Sequence, residues 1–348
     1  MDLRAMKFMA NLTDHPVSRS ASRLTWSDLD QAQSFYVAPC DLGQLSDQPP
    51  VKARYMSPEY SEEVAQELAI LRDPERGPLY AGPFACFSLP STLSVRIPEP
   101  ASLQPLILHF HGGGFVAQSS FSHQQYTRRW ASTTDVPVLS VDYRLAPEYQ
   151  YPAPIDDAWL VYEWCVTHGP RVLGVDPRRI VVAGDSAGGN IAAALAHRGG
   201  VPPPYGVFMA YPALSLTEVA FYPSQSKCLD DFMLSYSFLI CCINAYVPAT
   251  VDALSDWELS PAAAPDELLQ RFSRTKIMVG TEDPLLDQST EFAQRLHQLG
   301  KDIELGIYSG FGHAFLCLDA PVIGIPAAEG LVEKSIKYLK ELTSDNSS

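Results

Sequence analysis

Basic charge is scarce in this chain of 348 residues. It has 25 Lys and Arg against 40 Asp and Glu, a formal net charge of −15. No Lys/Arg-rich cluster stands out, which argues against nucleic acid or an anionic membrane surface as partner. Metal and phosphate signatures are missing too: there is no H-E-x-x-H, no G-x-x-x-x-G-K-[ST] and no G-x-G-x-x-G. The seven cysteines are odd in number and lack C-x-x-C spacing. Met1 to Lys7 holds no apolar leader core, and with such cysteines this points to reduced thiols in the cytoplasm. The most apolar stretch, Phe232 to Val247, falls short of the roughly 20 residues that span a bilayer and reads as a buried or pocket-lining helix. Internal repeats are absent.

The chain is 46% apolar and 19% charged, enough to bury the core of one large α/β domain. Up to about residue 80 it reads as helical and irregular, with helical spacing over Ser61 to Leu71. From there strands and helices alternate. Leu93 to Ile97, Pro105 to Phe110, Pro137 to Asp142, Ile180 to Ala183, Tyr205 to Ala210, Lys276 to Val279 and Ile303 to Tyr308 read as strands. Helices are expected over Ala153 to His168, Ala187 to His197, Gln288 to Leu299 and Ala327 to Leu342. This alternation predicts a mostly parallel sheet covered by helices on both faces. The expected division is N-terminal cap helices over 1–84, a hydrolase domain over 85–342 and a flexible tail over 343–348. The aromatic, proline-rich interval 212–265 breaks the alternation and is expected to form a cap.

Three short segments carry chemistry. Gly184-Asp185-Ser186-Ala187-Gly188 places a Ser between glycines after a strand and before a helix, where a strained turn tolerates no neighbouring side chains. Such a G-x-S-x-G arises by chance in roughly one chain in ten of this length, so it decides nothing alone. His111-Gly112-Gly113-Gly114 also follows a strand, and Asp283 and His313 each follow a later one, in the order Ser, Asp, His. Catalytic groups belong at such carboxyl ends of strands. On this reading Ser186 is the nucleophile, His313 the general base and Asp283 the group that orients it. Glu282 and Asp287 compete for the acid, but Asp287 looks like a helix N-cap; His297 lies mid-helix as a surface residue. The N–H groups of Gly113, Gly114 and Ala187 are the expected oxyanion hole. His109 and His111 alternate along a strand and are expected to face opposite sides, poor geometry for one metal; no metal and no cofactor are expected.

These motifs, with Asp142-Tyr143-Arg144-Leu145-Ala146-Pro147-Glu148, Asp283-Pro284-Leu285 and Gly312-His313-Ala314-Phe315, resemble the hormone-sensitive lipase family of α/β-hydrolases from about residue 85 onward. The resemblance implies the α/β-hydrolase fold and the triad Ser186, Asp283 and His313. It also implies an oxyanion hole of Gly113, Gly114 and Ala187, no cofactor, and hydrolysis of short- to medium-chain acyl esters or acylglycerols. The animal enzyme's N-terminal domain and regulatory insertion have no room here, so its phosphorylation control and lipid-droplet docking are not carried over. The substrate partner is a small ester, and a homodimer is left open. Amide or peptide hydrolysis by the same triad stays open. So does a non-catalytic receptor such as the gibberellin receptors, which resemble this family but lack the catalytic His.

Overall fold

The computed structural model describes residues 33–42, 48–57, 103–217, 221–319 and 325–344. The helix expected over 61–71 and the strand over 93–97 lie outside them. Among the described residues eight strands form one sheet: β1 (Gln33–Val37), β2 (Val51–Met56), β3 (Gln104–Phe110), β4 (Val138–Asp142), β5 (Val175–Asp185), β6 (Gly206–Ala210), β7 (Arg274–Gly280) and β8 (Ile303–Tyr308). Their order is β1-β2-β4-β3-β5-β6-β7-β8. From β4 to β8 neighbouring strands run parallel, whereas β1 and β2 pair antiparallel at one edge. This is the α/β-hydrolase fold.

The two edge strands correct the expectation of helices there. In β2, Val51, Ala53 and Tyr55 are buried while Lys52 and Arg54 are less covered. That alternation marks a strand with one half-solvated face, and it pairs residue for residue with β4 from Lys52–Asp142 to Met56–Val138. The sheet therefore begins well before residue 85.

The central strands are apolar on both faces because helices cover both. Leu106, Leu108 and Phe110 of β3 join one core with helices α2 (Ala153–Thr167), α3 (Ala187–His197) and α5 (Leu286–Gln298). Ile107 joins the other core, with α1 (Gln124–Thr134) and α6 (Pro326–Thr343). Thr343, placed in the tail by its sequence, is the last residue of α6; its hydroxyl donates to Leu339 O at 2.8 Å.

Between β6 and β7 the cap interval contains α4 (Tyr236–Tyr246), whose N-cap Ser235 accepts the Phe238 N–H. The apolar stretch thus becomes helical only from Tyr236, and Phe232 is 93% exposed. Tyr246 stacks on Phe115 with ring centroids 3.9 Å apart, which lays α4 across the glycine loop after β3. No helix among the described residues is long and apolar enough to cross a membrane.

Candidate active site

The turn from β5 into α3 carries Ser186 at φ 53, ψ −117, a conformation most side chains avoid. Its flanking glycines leave room for the fold to close around it. A Cβ on Gly184 would stand 2.2 Å from Gly188 O, and one on Gly188 would stand 1.9 Å from Phe110 O. These are contacts with backbone, which cannot swing away. Ser186 N–H donates to Ala210 O at 2.9 Å, fixing the turn to the end of β6.

Two later loops converge on it. Asp283 follows β7 and is fully buried; its Oδ1 accepts the Leu285 N–H at 2.8 Å. His313 follows β8, with Nδ1 2.9 Å from Asp283 Oδ2 and 3.1 Å from Oδ1. Its Nε2 is 2.9 Å from Ser186 Oγ. With the ring proton on Nδ1, the serine hydroxyl donates to Nε2 and the imidazole donates to Asp283. The competing acids lie elsewhere. Glu282 pairs with Lys227 at 3.0 Å. Asp287 is in the first turn of α5, where it accepts the Ser224 N–H at 2.7 Å, so it is not the N-cap; that position is Leu285. His297 is exposed.

Burial favours the neutral His313 ring, but the charge of Asp283 and its hydrogen bond outweigh burial, and Asp231 and Asp185 add to them. The ring therefore holds its proton above the ordinary value of 6.5. Across the site, Gly113 and Gly114 take φ of +113 and +61, left-handed conformations that turn the loop's amides. Among the described residues the N–H groups of Gly113, Gly114 and Ala187 meet no acceptor. A strained hydroxyl, a positioned base and free amide donors can together perform acyl transfer.

A buried polar network beneath the glycine loop was not legible in the sequence. Asp185 Oδ1 accepts the Gly112 N–H at 2.9 Å and the Tyr126 hydroxyl at 2.7 Å. Tyr126 in turn lies 2.9 Å from His109 Nε2, and His109 Nδ1 lies 2.7 Å from Ser140 Oγ. His123 Nε2 is 3.4 Å from Asp185 Oδ2. Burial disfavours both charges, yet their mutual attraction prevails, holding the Asp185 carboxyl well below and the His123 ring well above their ordinary ranges. His109 and His111 do not face opposite sides as expected, because residues two apart along a strand share a face. Both rings approach His123, with centroids at 6.0 and 5.5 Å. Among the described residues one set has metal-ligand character: His123, Asp185 and Cys317, with ligand atoms within 4.8 Å of one another. Here Asp185 and His123 are engaged with each other as an ion pair.

Comparison with known proteins concerns the family and the fold. Residues 107–317 match the family described as alpha/beta hydrolase fold. The chain is 43% identical to human hormone-sensitive lipase over 150 residues, 42% of this chain and 14% of that protein. It is 32% identical to carboxylesterase NlhH of Mycobacterium tuberculosis over 241 residues, 68% of this chain and 73% of that one. The match thus spans a small fraction of the animal lipase and most of the bacterial protein. Among solved structures, a hyperthermophilic esterase from Pyrobaculum calidifontis superposes with TM-score 0.76 at 24% identity, covering 98% of this chain and 92% of its own.

Proposed function

We propose that this chain, which belongs to the hormone-sensitive lipase family of α/β-hydrolases, is a serine carboxylic-ester hydrolase working through an acyl-enzyme. The observation that carries this reading is the buried relay Ser186 Oγ–His313–Asp283, with links of 2.9 and 2.9 Å. Esterase relatives support it, as do the three amides that face no acceptor.

In the proposed reaction Ser186 Oγ attacks the ester carbonyl carbon while its proton passes to His313 Nε2. Negative charge develops on the carbonyl oxygen and is met by the N–H groups of Gly113, Gly114 and Ala187; one such donor is typically worth about 3–4 kcal/mol. Ala187 opens α3, so the helix dipole adds to that donor. His313 then gives the proton to the departing alkoxide, leaving Ser186 acylated. Water attacks the acyl group with His313 again as base, which releases the carboxylic acid and restores the serine. Asp283 holds the ring proton on Nδ1 and stabilises the imidazolium.

The proposed substrates are short- to medium-chain acyl esters or acylglycerols. Helix α4 packs on the glycine loop, since Cys242 Sγ would stand 2.5 Å from a Cβ on Gly114. The free thiols of Cys165, Cys228, Cys241, Cys242 and Cys317 support a reducing, cytoplasmic setting. The presence of His313 within bonding distance of Ser186 counts against a receptor role. Ser186→Ala tests the reading: hydrolysis of p-nitrophenyl butyrate falls by at least roughly 10⁴-fold, and a fluorophosphonate no longer labels the protein. Undiminished turnover discards it. Rates over p-nitrophenyl esters of rising acyl length test the substrate range.

A further inference from the structure

Residues Cys228 to Tyr246 of the cap touch both halves of the site. At one end Asp231 Oδ2 accepts the His313 N–H at 3.1 Å, across 82 positions of sequence. At the other end Cys242 and Tyr246 of α4 lie against Gly114 and Phe115. The carboxylate is held from behind, since Oδ1 accepts the Met233 N–H at 2.9 Å and the Leu234 N–H at 2.7 Å. The Asp231 N–H donates to Cys228 O at 3.2 Å, and Tyr236 N–H donates to Leu229 O at 2.9 Å, joining this turn to the start of α4. One oxygen thus fixes the turn and the other reaches out of it.

We propose that Asp231 is a positioning residue, which holds the His313 loop in register with Ser186 and couples that loop to the cap. The proposal rests on the serine-hydrolase reading. It explains why glycine precedes His313: a Cβ on Gly312 would stand 2.3 Å from Asp231 Oδ2. Only a residue without a side chain lets the carboxylate reach the next amide. The loop's other ties, Glu282 N–H to Phe311 O and Gly310 N–H to Thr281 Oγ1, both at 2.9 Å, act upstream of the histidine. The groups facing the imidazole are Asp283 after β7, Asp231 from the cap, Asp185 at the end of β5 and the Tyr211 ring after β6, 4.8 Å away. Asp231 therefore contributes both a hydrogen bond to the backbone and a negative charge near the ring.

Asp231→Asn and Gly312→Ala separate these contributions. The first removes the charge and turns one of the two accepting oxygens into an NH2 donor, so that the Met233 and Leu234 amides and the His313 amide can no longer all be accepted, while the second keeps the charge and displaces the carboxylate. For Asp231→Asn, kcat for p-nitrophenyl butyrate falls about 10- to 100-fold with KM little changed. Its acid limb of kcat/KM moves down by roughly half a pH unit. The His313 imidazole titration, followed by NMR without substrate, moves the same way. Gly312→Ala lowers kcat with a smaller shift, and it costs nothing further in an Asp231→Ala background, where the clash is gone. A wild-type kcat and unmoved His313 titration in Asp231→Asn overturn the proposal. So does a Gly312→Ala penalty that is undiminished without Asp231. Absence of Ser186-dependent turnover in the wild type would instead sink the hydrolase reading; the NMR titration reports on Asp231 in either case.

Discussion

Asp185 accepts the Gly112 N–H at 2.9 Å, tying the residue before Ser186 to the first glycine of the loop opposite. The strained serine turn and the amide loop are thus joined through one carboxylate, which is charged because His123 and His109 lie beside it.

Asp185→Asn tests that link. It leaves the buried His123 without its counter-charge, and breaking a buried pair costs roughly 3–5 kcal/mol. Urea unfolding should show a loss of this size, accompanied by lower kcat. A variant as stable and active as the parent would mean that the carboxylate is dispensable.

Gly188→Ala should be worse than its small size suggests. The added methyl would meet Phe110 O at 1.9 Å and His111 O at 2.8 Å, both backbone atoms at the end of β3 that cannot swing away. The cost is about 3 kcal/mol or more, read as a lowered Tm or as insoluble protein. Gly199→Ala, with nothing within 4 Å of the new carbon, is the control and should be near neutral.

The pH profile follows from His313. The ring must be neutral to accept the serine proton, and its proton is held above the ordinary 6.5 chiefly because Asp283 outweighs burial. Activity should therefore fall on the acid side through an apparent pKa above 6.5. Asp283→Asn should cut kcat about 10⁴-fold and draw that limb downward. A stability effect of opposite sense accompanies it: a raised folded-state pKa gives stabilisation that is complete below the unfolded value and lost as pH rises through the folded one. Calorimetry of wild type against Asp283→Asn across that window measures it.

His197 behaves oppositely. Its ring lies 4.8 Å from Phe272 and 5.7 Å from Trp257, and neither ring nitrogen has a hydrogen-bond partner among the described residues. Burial, aided by Arg295, pushes its pKa down to about 4. Its contribution to stability is present above the unfolded value of 6.5 and is lost as pH falls toward 4. His197→Phe keeps the aromatic contacts and removes the buried polar atoms, so stability should rise by about 1–2 kcal/mol and acid sensitivity should lessen. A lower Tm at pH 7 would show that the imidazole has a polar role.

The central strands were legible because burial on both faces writes them as short apolar runs. Pro105 to Phe110 and Pro137 to Asp142 fall within a residue of β3 and β4. β1 and β2 at one edge were not, since they are five and six residues of alternating character in a stretch that otherwise reads as helical, whereas β8 at the other edge was read from Ile303 to Tyr308. The alternation of Val51, Ala53 and Tyr55 against Lys52 and Arg54 was the available signal. Asp231 and His123 had none, because each acts through a partner distant in the chain. For His123 that partner is Asp185, and for Asp231 it is an amide 82 residues away.

By itself the sequence determined where backbone strain and special chemistry could sit: glycines around Ser186, a glycine run after His111, an acid and a histidine after later strands. Those are local requirements, set by φ/ψ freedom and residue type, and they survive any change in distant packing. Tertiary structure alone decided that Ser186 and His313, 127 positions apart, stand 2.9 Å from each other. It also decided that Asp185 is charged while His197 stays neutral, and that Asp231 accepts the His313 N–H. Separation in space and exclusion of water set hydrogen bonding and proton affinity, and both arise only when parallel strands bring their carboxyl ends together beneath one cover.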